Sequence, residues 1–178
     1  MQKIGEQIKV EKSGQDFRIE IYPSISKKDK MWLTVWLMAW SFCGLAVVSQ
    51  LFFKYTSDEK IILVVYLVLW AYFELKVIHA FRWQKSGKEL VEIKDGKFSY
   101  TQLIGLRGLP VESLLSDIKG FRFIENSEKG FLNDINRSVW MLGGEVLEYE
   151  VNGALKRFGL KLPKQDALKL IDLLNKQV

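Results

Sequence analysis

Apolar and polar positions along this chain fall into three regimes. The first is a short alternation at 16–22, where Phe17, Ile19 and Ile21 share one face and Arg18 and Glu20 the other, as in a half-buried strand. The second is a pair of apolar runs. No charged residue occurs from Met31 to Phe53, and none again from Ile61 to Phe73. The third is a series of short alternating segments at 88–94, 97–104, 119–125, 137–142, 145–151 and 154–162. Asp95-Gly96 and Asn152-Gly153 join two adjoining pairs of these segments, the dipeptides that two-residue hairpins favour. Segments 105–112 (GLRGLPVE) and 126–136 (NSEKGFLNDIN) read as loops. After Pro163, Ala167, Leu170, Ile171 and Leu174 recur at three and four, which predicts an amphipathic helix.

The apolar runs predict a membrane hairpin. The 23 residues of 31–53 rise about 34 Å as a helix, enough for a hydrocarbon core of roughly 30 Å. The uncharged part of the second run spans only about 20 Å as a helix, so it must continue through Glu74 and Lys76 to about Phe81. The linker 54–60 is short enough to make the two helices antiparallel neighbours. Lys27, Lys28 and Lys30 precede the hairpin and Arg82, Lys85 and Lys88 follow it, which favours both termini in the cytoplasm. Trp32, Trp83 and Tyr55 stand where interfacial rings are expected. The N-terminal residues are polar and mixed in charge, unlike a signal peptide, and the first run reads as retained.

The chain therefore divides into an N-terminal segment 1–30 with the first strand, a hairpin 31–81 (spans 31–53 and 61–81), and a domain 82–178. The expected fold is an α+β membrane protein. Seven strands and a C-terminal helix form one cytoplasmic unit, with the hairpin inserted between strand one and the rest.

Within the hairpin, Glu74 lies about two turns inside the cytoplasmic end of the second span. Lys76 can snorkel to headgroups, but a glutamate is shorter. It must face the other helix, be protonated, meet a partner or reach interfacial water. A proton or ion relay is the remaining reading, and two helices enclose little of a pathway. Trp32, Trp36 and Trp40 fall on one face of the first span, with Ala39, Cys43 and Ala46 elsewhere and Gly44 close by. Small residues permit close helix approach, so the second span is expected against the small face. The tryptophan face is then open to a protein partner, lipid or a lipid-like ligand.

The whole resembles bacterial membrane proteins with an N-terminal transmembrane hairpin and a pleckstrin-homology-like (PH-like) domain. The residues that carry the resemblance are Ile21-Tyr22-Pro23-Ser24, Trp36 and Trp40, Gly87-Lys88-Glu89, Asp95-Gly96, and Ser116-Asp117-Ile118. It covers roughly 17–176. It implies a small β-barrel capped by a helix and a scaffold or accessory role in the inner membrane. It supplies no catalytic residues.

Chemistry-bearing motifs are missing from the sequence. There is no HExxH, CxxC, P-loop or GxGxxG. One histidine, His79, and one cysteine, Cys43, exclude a His/Cys zinc site within one chain. Asp117, Glu125, Glu128 and Asp134 match no metal loop. No metal, cofactor or catalytic residue is assigned. The net charge of +5 is modest and lacks a basic-aromatic patch, which disfavours nucleic acid. Lys94, Lys97 and Arg107 are the candidate contacts to anionic lipid headgroups. The expected function is a non-catalytic accessory, scaffold or assembly subunit among other integral membrane proteins. A lipid-sensing PH-like module is the alternative, and an enzyme a distant third.

Overall fold

A computed structural model describes residues 2–14, 16–124 and 143–177. The expected segment 137–142 and the carboxylates Glu125, Glu128 and Asp134 lie outside the described residues.

The chain begins with three antiparallel strands, β1 (Gln2–Ile4), β2 (Ile8–Ser13) and β3 (Asp16–Ile21). Two long helices follow, α1 (Lys27–Gln50) and α2 (Ser57–Ser86). Strands β4 (Gly87–Lys94), β5 (Lys97–Ile104) and β6 (Pro110–Leu114) come next. After a 3-10 turn at Leu115–Asp117 come β7 (Ile118–Phe123), β8 (Glu145–Val151), β9 (Ala154–Leu160) and α3 (Lys164–Asn175). Strands β1 to β6 make one antiparallel sheet in sequence order, and β7 to β9 a second.

The expected α+β composition is present, with two corrections. First, the described residues form nine strands in two open sheets, and no ladder closes them into the expected seven-stranded barrel. Second, β1, β2 and β6 were not anticipated. Ile4, Ile8 and Val10 are buried on the core face, so the N-terminal residues are structural. Ile8 and Val10 alternate with Lys9 and Glu11, the same pattern as at 16–22, so a signal for β2 stands in the sequence. β6 carries no buried side chain. It is an edge strand opened by Pro110, a position where the missing N–H costs nothing.

The two sheets and α3 bury one core. Phe98, Phe121, Tyr149 and Phe158 pack with ring centroids 4.9–6.0 Å apart. Ala167, Leu170 and Leu174 of α3 are fully buried beneath them, as the periodicity predicts. Near its end, the Asn175 side chain takes the N–H of Phe121 (2.8 Å) and donates to its carbonyl (3.1 Å). This pairing holds β7 where its register shifts between Ile118 and Phe121. Both two-residue turns form as expected. Asp95 and Gly96 have φ of 51° and 73°, and Asn152 and Gly153 have 50° and 75°, the geometry that suits strand twist.

β3 pairs directly with β4, from Phe17↔Ile93 to Ile21↔Glu89. The helical hairpin is therefore an insertion between neighbouring strands, and the chain enters and leaves it at one place. α1 starts four residues before the expected first span and ends at Gln50, short of Phe53, whereas α2 extends beyond the expected second span at both ends. Ser26 caps α1 by accepting from the Asp29 N–H. Thr56 and Glu59 form a reciprocal capping box at the start of α2. The connection is thus 51–56, and the Thr-x-x-Glu signal for it stands in the sequence. α2 continues past Phe81 to Ser86 and passes straight into β4.

Both helices are long and apolar enough to cross a membrane, and only 11% of the most apolar stretch of each is buried. A core helix of a soluble domain would be mostly covered, so this exposure fits a lipid environment. Trp83, expected as an interfacial ring, is covered by the protein. It is 3% exposed, packed so closely on Gly87 that a Cβ there would lie 2.4 Å from the ring. At the same junction Glu20 accepts from Lys88 (2.7 Å), Arg18 (3.2 Å) and the Tyr22 hydroxyl. Desolvation alone would raise its pKa, but these hydrogen bonds and the Lys88 charge outweigh it and hold the carboxyl at about 2. A lowered folded value favours the fold above the ordinary 4.5, and that contribution fades as pH falls through the folded value.

Candidate functional site

The polar centre of the hairpin lies on the seam between α1 and α2. Glu74 is 7% exposed, and one carboxyl oxygen contacts the Ser41 hydroxyl. The other oxygen is buried with no hydrogen-bond partner among the described residues. Ser41 Oγ also lies 2.8 Å from the Leu37 carbonyl one turn back. A hydroxyl has a single hydrogen. That hydrogen is shared between the Leu37 carbonyl and the Glu74 carboxyl. Just beyond, Trp70 Nε1 donates to the Trp40 carbonyl at 3.2 Å, and its ring fills the space above Gly44. A Cβ at Gly44 would lie 2.1 Å from that ring.

This arrangement corrects the expected packing of the first span. Ala39, Cys43 and Ala46 face outward, and only Gly44 of the small residues is buried against α2. Trp36 and Trp40 are half-buried and stacked at 5.2 Å with planes 9° apart. The Trp40 indole nitrogen is buried without a partner among the described residues. The tryptophans therefore belong partly to the seam. Trp32 remains 58% exposed. Glu74 does face the other helix, one of the readings open to it. Lys76 lies over the Tyr72 ring at 5.6 Å, and His79 is exposed.

A second buried carboxyl joins the two sheets. Glu89 is 0% exposed. It accepts from the backbone N–H groups of Gly159 and Leu160, both at 2.7 Å, and from the Tyr100 hydroxyl at 3.1 Å. Its carboxyl thus links β4 to β9 where no ladder does. Burial raises its pKa, and the three donors pull the other way without cancelling the rise. Tyr100 is raised as well, by burial and then by the Glu89 charge. In the sequence, Glu89 stands out only as part of Gly87-Lys88-Glu89 in the resemblance. A signal was present: it alternates in phase with Val91 and Ile93, which places a charge on the core face. Nearby, the Tyr149 hydroxyl is buried without a partner among the described residues, and burial lifts its pKa to about 12.

The candidate headgroup contacts do not converge. Lys94 and Lys97 flank the β4–β5 turn, whereas Arg107 lies in the turn beyond the other end of β5. Eight strand residues separate the two ends, about 24 Å apart. Lys94 and Lys97 border an open groove of about 820 Å³ on the outer face of the six-stranded sheet. Arg18 is the third cation there, against Glu11, Asp16, Glu92, Asp95 and Glu112. The carboxylates outnumber the cations, so the groove does not select anions. Asp117 accepts from Ser116 at 3.1 Å, and no group of three metal-ligating side chains occurs among the described residues. Compared with family models, curated proteins and solved structures, the chain matches none.

Proposed function

We propose that this chain is a non-catalytic accessory or assembly subunit of a larger protein complex in the bacterial cytoplasmic membrane. Its hairpin crosses the bilayer and both termini lie in the cytoplasm. The β3–β4 pairing supports this topology, because strands before and after the hairpin share one sheet. The lysine flanks support the side. The cytoplasmic unit is read as PH-like. Antiparallel strands on both sides of the hairpin and the terminal helix α3 support this.

The observation that carries the reading is Glu74. A carboxyl at this depth is costly in lipid. Ser41 contacts one oxygen and the other has no donor among the described residues. The stacked Trp36 and Trp40 rings adjoin the same seam. That oxygen is buried within the seam, so a transmembrane helix of another protein that packs over the half-buried Trp36 and Trp40 rings would have to part the seam for a hydroxyl, amide or indole donor to reach it. A dedicated enzyme site has no equivalent support.

The test is purification in a mild detergent followed by mass spectrometry. Stoichiometric integral membrane partners are expected with the parent chain. Glu74→Gln supplies an N–H to Ser41 and keeps an acceptor oxygen, so it should retain partners. Glu74→Leu should reduce recovery by about tenfold, the effect of losing roughly 1–2 kcal/mol of intramembrane hydrogen bonding. Trp36→Leu with Trp40→Leu should weaken it further. Unchanged partner recovery in all three variants would rule out the seam as the contact.

A further inference from the structure

The turn between β5 and β6 exposes two leucines at the place where α2 ends. Ile104 and Arg107 exchange both backbone hydrogen bonds, at 2.9 and 3.3 Å, so the turn is tightly closed. Its apex residue Leu106 is 100% exposed, and Leu109 is 88% exposed. Arg107 stands between them and is exposed too. The turn is tied to the hairpin through the Gly105 N–H, which donates to the Ser86 carbonyl at 2.9 Å. Ser86 is the last residue of α2, and Gly87 pairs with Ile104.

A soluble surface seldom presents two neighbouring leucines so fully on an ordered turn. Here the surface beside them is the one that α2 leaves. The exposed cations of this junction are Arg82 and Lys85 on the last turns of α2 and Arg107 on the turn itself. Leucines at the headgroup–acyl boundary, flanked by cations facing anionic headgroups, are the combination that holds peripheral segments in an interface. We propose that the 105–109 turn dips into the bilayer surface and forms a second, lipid-borne attachment of the β domain. The occupant is the lipid surface itself, at its headgroup–acyl boundary. This rests on the membrane reading of the hairpin.

Two attachments give a different behaviour from one. A domain joined only through α2 and β3 is free to tilt about that junction. A dipping turn fixes its orientation and makes it sensitive to the charge of the leaflet. Lys94 and Lys97, at the far end of β5, then face away from the membrane.

Spin labels on single cysteines in a Cys43→Ala background test this, with the full chain in vesicles containing anionic phospholipid. Labels at Leu106 and Leu109 should be accessible to oxygen and shielded from a water-soluble nickel relaxant. Leu155 is an exposed leucine at the start of β9, and a label there should be open to nickel. A label at Val68, mid-way along α2, reports the hairpin. Nickel access at 106 and 109 equal to that at 155, with 68 shielded, overturns the dipping turn and leaves the hairpin reading intact. Nickel access at 68 as well overturns both. Shielding that appears only when native membrane proteins are added would mean a protein contact, and would also overturn the lipid attachment.

Discussion

A Glu89→Leu chain is expected to lose about 2–6 kcal/mol of folding stability, because two buried backbone N–H groups lose their acceptor at roughly 1–3 kcal/mol each. Leucine fills much of the volume but accepts nothing from Gly159, Leu160 or Tyr100. Amide hydrogen exchange gives the local readout. The Gly159 and Leu160 amides should lose protection before those of β5. Glu89→Gln should cost about 1–3 kcal/mol, since its NH₂ must oppose one N–H donor. The glutamine variant also isolates a pH effect. The folded pKa of Glu89 is raised above its ordinary 4.5. Between those two values the folded state holds more protons than the unfolded state, so stability falls as pH rises. The parent chain should show that slope above pH 4.5, and the difference between parent and Glu89→Gln should contain it. Glu20 titrates on the other side of 4.5 and with the opposite sign, so the two windows separate. Denaturation of the detergent-solubilised protein across this range measures both. A Glu89→Leu chain as stable as the parent would mean that the carboxyl does not join the sheets.

Gly44→Val should open the hairpin. Its Cβ would meet the Trp70 ring at 2.1 Å, and that ring cannot turn aside without losing its bond to the Trp40 carbonyl. Overpacking of this kind costs about 1–3 kcal/mol. The helices separate, the Trp70–Trp40 bond stretches and Ser41 leaves Glu74. Cys43→Val and Ala46→Val, on the outward face, should leave the seam unchanged. Distances between spin labels at Val35 and Ile78 would show the change. Equal distances in Gly44→Val and Cys43→Val would refute the observed seam. Widening only in Cys43→Val would restore the packing that the small residues alone suggest.

That second contrast shows where the sequence stops being informative. The two helices were legible because a charge-free run of this length has few other uses. Their facing was not. Residues 39, 43 and 46 are small and share a stripe, yet Gly44 with Trp70 makes the closer approach. A glycine–indole fit depends on where a ring on the other helix lands, which spacing within α1 cannot reveal. The Asp-Gly and Asn-Gly turns and the α3 stripe were readable because each is a local rule. β6 was not, since an edge strand buries nothing and leaves no alternation. Glu74 was legible as an anomaly, and its partner Ser41 was not, because a mid-helix serine bonding its own preceding turn looks unremarkable. The phase of Glu89 with Val91 and Ile93 marks it as inward. A charge in a core position is readable as a fact, but its two backbone donors come from β9, about seventy residues away.

The proposed topology has 27–86 crossing a bilayer twice with the β unit on the cytoplasmic side. Impermeant thiol labelling of intact cells tests it most directly. The parent would be a Cys43→Ala chain with one cysteine at Tyr55, in the connection between the helices, or at Asp95, in the β4–β5 turn. Labelling at 55 from outside, with 95 reached only after permeabilisation, is the predicted result. Labelling of 95 in intact cells, or recovery of the chain in the soluble fraction with both positions reactive, would contradict it.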